Sequence, residues 1–509
     1  MMQRARHAWL ARPMARPSHS CLVILLVCGL GLGGCATTPV SEPRNTPLRG
    51  VSNEAQKQAL GSSDGVGETM VALSFSGGGL RAAAFSFGVL KGLDAMRGEE
   101  RRALLDHVMF ISSVSGGSLT AAYYGLHGKD ALSRFREDVL LRDGEKNLRL
   151  SLFNPGNLSR LLAGGINDVH SLQSWLDSEV FHGAPFADLA RRGRPEIWIN
   201  ASDLYHRVAF PFSAGAFDFL CSDLYSLPVS VAVAASMAVP GYFAPVVLKT
   251  YPDACVAPLP AGIRDAPRDP QSPLVLRAVA SAVLDLRESQ SGKYVKLLDG
   301  GLTDNFGLAS ILQSRLALGT PYGPLTEADA VRLRRILYVV VDASRPPAGD
   351  WDRVVAGPPA ADSLRAVVDT VIDMNVRLAF DAFVDMTRAW REDLVAYRCS
   401  LSPERVAQLR GEDRPWKCDD VEIIVTRLSF DDLDPDRAHR LADVPTRLVL
   451  PEQTIDELIA AGIEVVTASP PVRRFSEQIR GGDPVALPTA KCACSPCDQS
   501  TSGKEFARE

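Results

Sequence analysis

The chain has 509 residues, 46% of them hydrophobic and 23% charged, with a formal net charge of −5. That apolar share excludes a wholly disordered polyelectrolyte and suffices for a large core, and the length exceeds one ordinary domain. The acidic balance excludes a general electrostatic pull toward nucleic acid or anionic lipid, so no nucleic-acid partner is expected.

In chain order, the first feature is an export-type leader. Arg4, Arg6, Arg12 and Arg16 precede an apolar stretch from Cys21 to Leu32, with no acidic residue before Cys35. The stretch is short for a membrane span and reads as the core of a signal peptide over residues 1–34. It ends in Leu32-Gly33-Gly34-Cys35, which resembles a bacterial lipobox. The resemblance implies a lipidated Cys35 on the bacterial cell envelope, and Ala36 after it implies the outer membrane. A signal peptide cut elsewhere and a retained anchor are the alternatives. Several acyl chains on one cysteine anchor stably where a single chain does not. Residues 35–68, rich in Pro, Ser, Asn and Gln, are expected as a flexible tether.

Three glycine turns follow. The apolar run Met70 to Phe75 leads into Ser76-Gly77-Gly78-Gly79-Leu80-Arg81, and the spacing predicts a helix from Arg81 to Met96. Glycines between a strand and a helix let backbone N–H groups converge on an anion, to which the helix start adds partial positive charge. The turn suits a phosphate, an oxyanion or plain structure, but not a dinucleotide, because the G-x-G-x-x-G spacing is absent. Next, Val108 to Ile111 leads into Ser113-Val114-Ser115-Gly116-Gly117 and then Leu119 to Tyr124. A strand-turn-helix context of this kind holds a nucleophilic serine on a sharp elbow, although Ser113 stands where G-x-S-x-G has glycine. Finally, the strand Tyr294 to Leu298 runs into Asp299-Gly300-Gly301, a carboxylate in a glycine turn. Each segment alone is compatible with an ordinary turn. Together they supply a nucleophile, a proton acceptor and backbone donors for negative charge.

With Asn200-Ala201-Ser202-Asp203-Leu204 and Ala235-Ser236-Met237-Ala238-Val239-Pro240-Gly241-Tyr242-Phe243 between them, these ordered motifs resemble the patatin-like phospholipase family from about Met70 to about Ser344. The resemblance implies a Ser/Asp dyad without histidine, Ser115 as nucleophile and Asp299 as base. It implies an oxyanion segment of Gly77, Gly78, Gly79 and Arg81, with Arg81 ordering the loop or meeting substrate charge. Ala82 stands where the family often has glycine. The implied substrate is a membrane phospholipid or another acyl-ester lipid, with no cofactor and no metal. An acyltransferase with the same dyad and an inactive lipid-binding lipoprotein are the alternatives. An aspartate of ordinary pKa is a weak base, so the site is expected to bury Asp299 and raise it. A Ser115/Asp342/His439 triad is the competing reading of the same serine.

Strands predicted at about 70–75, 108–112, 196–200, 294–298 and 336–342 alternate with helical segments, giving a mostly parallel α/β sheet flanked by helices. The resemblance makes this a patatin-like three-layer fold with a catalytic domain over 69–345, its motifs at the carboxyl ends of strands. Asp143 to Arg194 is expected to pack as an insertion on the core rather than act as a mobile cap, and Pro252 to Pro273 to cross the rim of the site as a surface loop. Residues 346–482 are expected as a helical and hairpin extension. In it, Ser363 to Leu394 forms one or two helices, Val395 to Cys399 and Asp420 to Leu428 form a hairpin, and Gln453 to Ala461 forms a helix. Cys399 with Cys418 and Cys221 with Cys255 are candidate disulfides among several connectivities. The tail 483–509 carries Cys492, Cys494 and Cys497, an incomplete zinc set, and is expected to be disordered.

Overall fold

The computed structural model describes residues 42–60, 67–97, 102–146, 148–149, 157, 160–161, 164–256, 258–288, 293–345, 353, 355, 357–411 and 416–480. The expected leader, Cys35 and the cysteine tail lie outside the described residues.

The strands are β1 (Thr46–Pro47), β2 (Thr69–Phe75), β3 (Val108–Val114), β4 (Glu196–Asp203), β5 (Val208–Phe212), β6 (Ser222–Asp223), β7 (Val246–Lys249), β8 (Tyr294–Asp299), β9 (Arg335–Asp342) and β10 (Glu422–Ser429). The principal helices are α1 (Asn53–Leu60), α2 (Gly79–Ala95), α3 (Gly116–His127), α4 (Val229–Ser236), α5 (Leu274–Glu288), α6 (Gly301–Asp304), α7 (Ala309–Leu318), α8 (Ala360–Cys399) and α9 (Glu452–Ala468). Strands run in the order β10-β9-β2-β3-β4-β8-β7, with β5 also on β4. The first five are mutually parallel, and β5, β7 and β8 are antiparallel to their neighbours.

Covering helices on both faces explain the strand sequences. Every residue of β9 is buried, as a parallel strand with two covered faces requires. Val71, Leu73 and Phe75 pack with Leu80, Phe85 and Val89 of α2. Ala72 of the same strand faces the other way, joining Tyr338, Val340, Val376 and Phe383 beneath α8.

The register of β4 creates the site. Val114 of β3 pairs with Asn200, and Asp299 of β8 pairs with Ala201. Because β5 also pairs with Ile199 and Ala201, it must occupy the other edge. β3 and β8 therefore meet end to end along one edge of β4, from opposite directions, and their carboxyl termini converge on successive β4 residues.

Four expectations are corrected. The tether is docked where it is described: Asn45 and Asn53 are buried, β1 pairs with β6, and the Asn53 side chain donates to Asp218 Oδ1 and Ser222 O. Its asparagines, read as solvated linker, serve as buried hydrogen-bonding pins. The stretch after Pro252 contains helical turns, and its buried Ile263 and Ala266 pack with Leu276, Ala280 and Val283 of α5, not with the dyad. It starts after Lys249, which pairs with Tyr294, past the carboxyl end of β4 but five residues and about 17 Å along β8 from Asp299. Val395 to Cys399 is no strand but the last turns of the 40-residue α8, kept helical where buried Leu394 packs with Ala330 and Val421. No hairpin forms, because β10 pairs in parallel with β9. Finally, α9 runs to Ala468, beyond the expected end at 461. Within 143–194, Leu172, Leu176, Val180 and Phe186 are buried in the main core.

Candidate active site

Ser115 lies between β3 and α3 with φ 49° and ψ −121°, a left-handed conformation that a non-glycine residue keeps only where its surroundings impose it. Its N–H donates to Ser236 Oγ at 2.7 Å, and Ser236 Oγ–H donates to Asn200 O at 2.6 Å. The next residue must be glycine: a Cβ on Gly116 would lie 1.9 Å from Gly79 O. The elbow and the glycine turn are thus in backbone contact.

Ser115 Oγ–H donates to Asp299 Oδ2 at 2.8 Å, and the Gly301 N–H donates to Asp299 Oδ1 at 2.8 Å. The Asp299 N–H is held by Ala238 O at 2.9 Å. Burial pushes the Asp299 carboxyl up to about 6, against the downward pull of the Gly301 and Ser115 hydrogen bonds. A carboxylate raised this far is a better proton acceptor near neutral pH than a solvated one.

The three glycines differ in what their amides do. The Gly77 N–H donates to Asn305 O and Oδ1, both at 3.2 Å. The Leu80 N–H donates to Arg447 O at 2.9 Å. Among the described residues the Gly78 and Gly79 N–H groups have no partner, and they sit at the start of α2 with φ 142° and 60°. They are the donors left for an anion. Arg81 is buried, its Nε donating to Ala343 O at 2.9 Å and its Nη1 to Val444 O. All its described hydrogen bonds brace the turn against neighbouring loops, including a longer one to Thr446 Oγ1.

Ser113 donates to Trp198 O at 2.9 Å from within β3, so the elbow accommodates its side chain. Ala82 is fully buried beside the turn. The competing triad is not assembled: Asp342 accepts from Arg427 at 2.9 Å, and exposed His439 pairs with Asp443. Sequence reasoning missed Asn305, which occupies the Gly77 amide, and gave Ser236 no role. It also missed the wall at 444–448. There Glu145 forms a bidentate pair with Arg447 and accepts from the Leu448 N–H at 2.8 Å, presenting Arg447 O to Leu80. The one available signal was Ser236 inside a motif already singled out; Asn305 and Arg447 come from distant segments.

Residues 73–312, a little under half of the chain, match the family described as patatin-like phospholipase. A relative from Schizosaccharomyces pombe, "Probable lysophospholipase 3", is 39% identical over 85 residues, covering 16% of this chain and 12% of its own. Among solved structures, human GIVD cytosolic phospholipase A2 is similar at 15% identity and a TM-score of 0.37, covering 84% of this chain and 62% of that one. The same human protein in complex with methyl gamma-linolenyl fluorophosphonate is similar at 14% identity and a TM-score of 0.35, covering 81% and 59%. The chain thus spans only a small part of the yeast relative and less than two thirds of the human structures.

Proposed function

The stretch 73–312 is a patatin-like phospholipase domain, and from that premise we propose that the chain is a serine acyl hydrolase of lipid esters, of phospholipase A or lysophospholipase type. The observation that carries the reading is the 2.8 Å hydrogen bond from Ser115 Oγ to a buried Asp299 whose carboxyl is raised to about 6. Ser115 Oγ attacks the ester carbonyl carbon as its proton passes to Asp299 Oδ2. The oxyanion is met by the Gly78 and Gly79 N–H groups at the start of α2. Collapse breaks the bond to the leaving alcohol, which takes the proton from Asp299 and leaves an acyl-Ser115. Water then attacks this ester, Asp299 takes its proton, and Ser115 departs with that proton restored.

Labelling with a fluorophosphonate probe tests the assignment. Wild type should label, Ser115→Ala should not, and Asp299→Asn should label at least about a hundredfold more slowly. Equal labelling of wild type and Ser115→Ala rejects the nucleophile.

We further propose that Cys35 is lipidated and holds the enzyme on the bacterial outer membrane, as the basic leader and Leu32-Gly33-Gly34-Cys35 support. Metabolic incorporation of labelled palmitate should be lost in Cys35→Ser; incorporation that persists refutes it.

A further inference from the structure

The 40 residues of α8 span about 60 Å, whereas the eight residues of β9 span about 26 Å. The helix therefore overhangs the sheet, and its packing gives the direction. Trp390 packs with Leu333 and Ile336 at the start of β9, while Val376 and Phe383 lie with Tyr338 and Val340 further along it. The Asn375 side chain donates to Leu302 O at 2.9 Å, three residues beyond Asp299. The helix runs against the strands. Its first 15 residues or so thus pass the carboxyl edge, the edge that holds Ser115 and Asp299, by about 20 Å.

From the overhang to just past the edge, the helix carries two apolar stripes. Ile372, Val376 and Phe383 face the core, but Val367, Val371, Met374 and Leu378, spaced four, three and four apart, are 44–64% exposed. From Asp381 onward the outward positions Asp381, Asp385 and Arg388 are charged and exposed. Exposed Asp369, Thr370 and Arg377 lie beside the outer stripe, but one packed face needs only one apolar stripe, and the second is confined to the part at and beyond the catalytic edge. An independent group of exposed residues projects past the same edge. Tyr205, in the turn after β4, is 78% exposed, and Tyr294, three residues before the β8 partner of Asp203, is 55% exposed.

We propose that the carboxyl edge of the sheet is a docking face for a lipid surface, with the α8 stripe and the two tyrosines entering the headgroup region. The choice of occupant rests on the hydrolase reading, since Ser115 is only 6% exposed and an ester from a bilayer must reach it over this edge. The α8 stripe by itself is too small to hold a second copy, since four half-exposed side chains fall far short of the roughly 800 Å² per partner of a stable dimer. Tyrosine, with an apolar ring and a polar tip, suits an interface. The net charge of −5 offers no attraction to anionic lipid, so insertion is apolar and a zwitterionic surface suffices.

The test uses the full chain carrying Cys35→Ser, so that no acyl group contributes. With Ser115→Ala added, it should float with phosphatidylcholine vesicles, with little effect of high salt or of added phosphatidylglycerol. Adding Met374→Glu and Leu378→Glu to the Cys35→Ser chain should lower vesicle binding and hydrolysis of vesicle lipid by about tenfold or more, leaving kcat/KM on p-nitrophenyl butyrate within about twofold. Unchanged vesicle binding overturns the proposal, as does a dimer in sedimentation that the substitutions dissolve. If both activities fall together, Leu378→Trp decides: quenching by brominated phosphatidylcholine beyond that of the parent upholds the face, and its absence rejects it. A parent that floats with vesicles yet hydrolyses neither substrate refutes the hydrolase reading and leaves the docking face standing.

Discussion

At the scale of single residues, Asp299 shows how position changes chemistry. Its carboxyl lies above the ordinary value of 3.8, at about 6, because burial penalises the charge. As the base it must be ionised, so kcat/KM on a soluble ester should fall below about pH 6 with a slope of one and level off above it. The same shift costs stability. A raised folded pKa means that the folded state binds more protons than the unfolded one between about 4 and 6, so this contribution is complete at low pH and lost as pH rises through 6. Asp299→Asn should therefore unfold at a higher temperature than wild type at pH 8, by the equivalent of about 1–3 kcal/mol, and the gap should close near pH 4. Equal thermal midpoints at pH 8 would mean that the carboxyl is not raised. The residue types at the dyad were legible in the sequence because serine and aspartate each sit in a glycine turn after a strand. That Gly77 has its amide taken by Asn305, leaving Gly78 and Gly79 as the donors without a partner among the described residues, was not legible, since a repeated glycine carries no mark of which N–H is occupied.

At the scale of elements, the strands with continuous apolar runs were legible to within a few residues, because burial on both faces leaves a pattern that needs no partner to be read. The direction of β8 was not, since antiparallel pairing with β4 depends on which edge was open when the chain returned. Val395 to Cys399 misled because five residues with valine and tyrosine suit a strand as well as the end of a long helix, and only the packing of Leu394 decides. Helix α9 matters to the site through glycine. A Cβ on Gly462 would lie 2.2 Å from Phe85 O and 2.9 Å from Gly88 Cα, and one on Gly88 would lie 2.2 Å from Ile459 O. Both obstacles are backbone, so α2 and α9 touch main chain to main chain. Gly462→Val should cost about 2–4 kcal/mol through overpacking. Since α2 begins at Gly79, activity at a fixed temperature should fall with it. Wild-type stability in chemical denaturation would show that the helices separate freely.

At the scale of the whole molecule, the C-terminal third is built into the catalytic fold: β10 extends the sheet, α9 covers α2, and residues 444–448 back the glycine turn. The disulfides Cys221–Cys255 and Cys399–Cys418, with sequence separations of 34 and 19, close loops away from the dyad. Replacing Cys399 and Cys418 by serine should lower stability by about 3 kcal/mol and leave kcat/KM on a soluble ester at 25 °C within about twofold. A larger kinetic loss would tie the far end of α8 to the site. What the sequence by itself determined was local: apolar strands, glycine turns between strand and helix, a serine and a carboxylate at strand ends, all set by backbone geometry within a few residues. Only the tertiary structure decided that β3 and β8 end on neighbouring residues of β4, that Asp299 is buried enough to be raised, and that Asn305 and Arg447 shape the glycine turn. Those are contacts between residues 86 or more apart in the chain, and their outcome depends on which surfaces the rest of the chain has left unpaired.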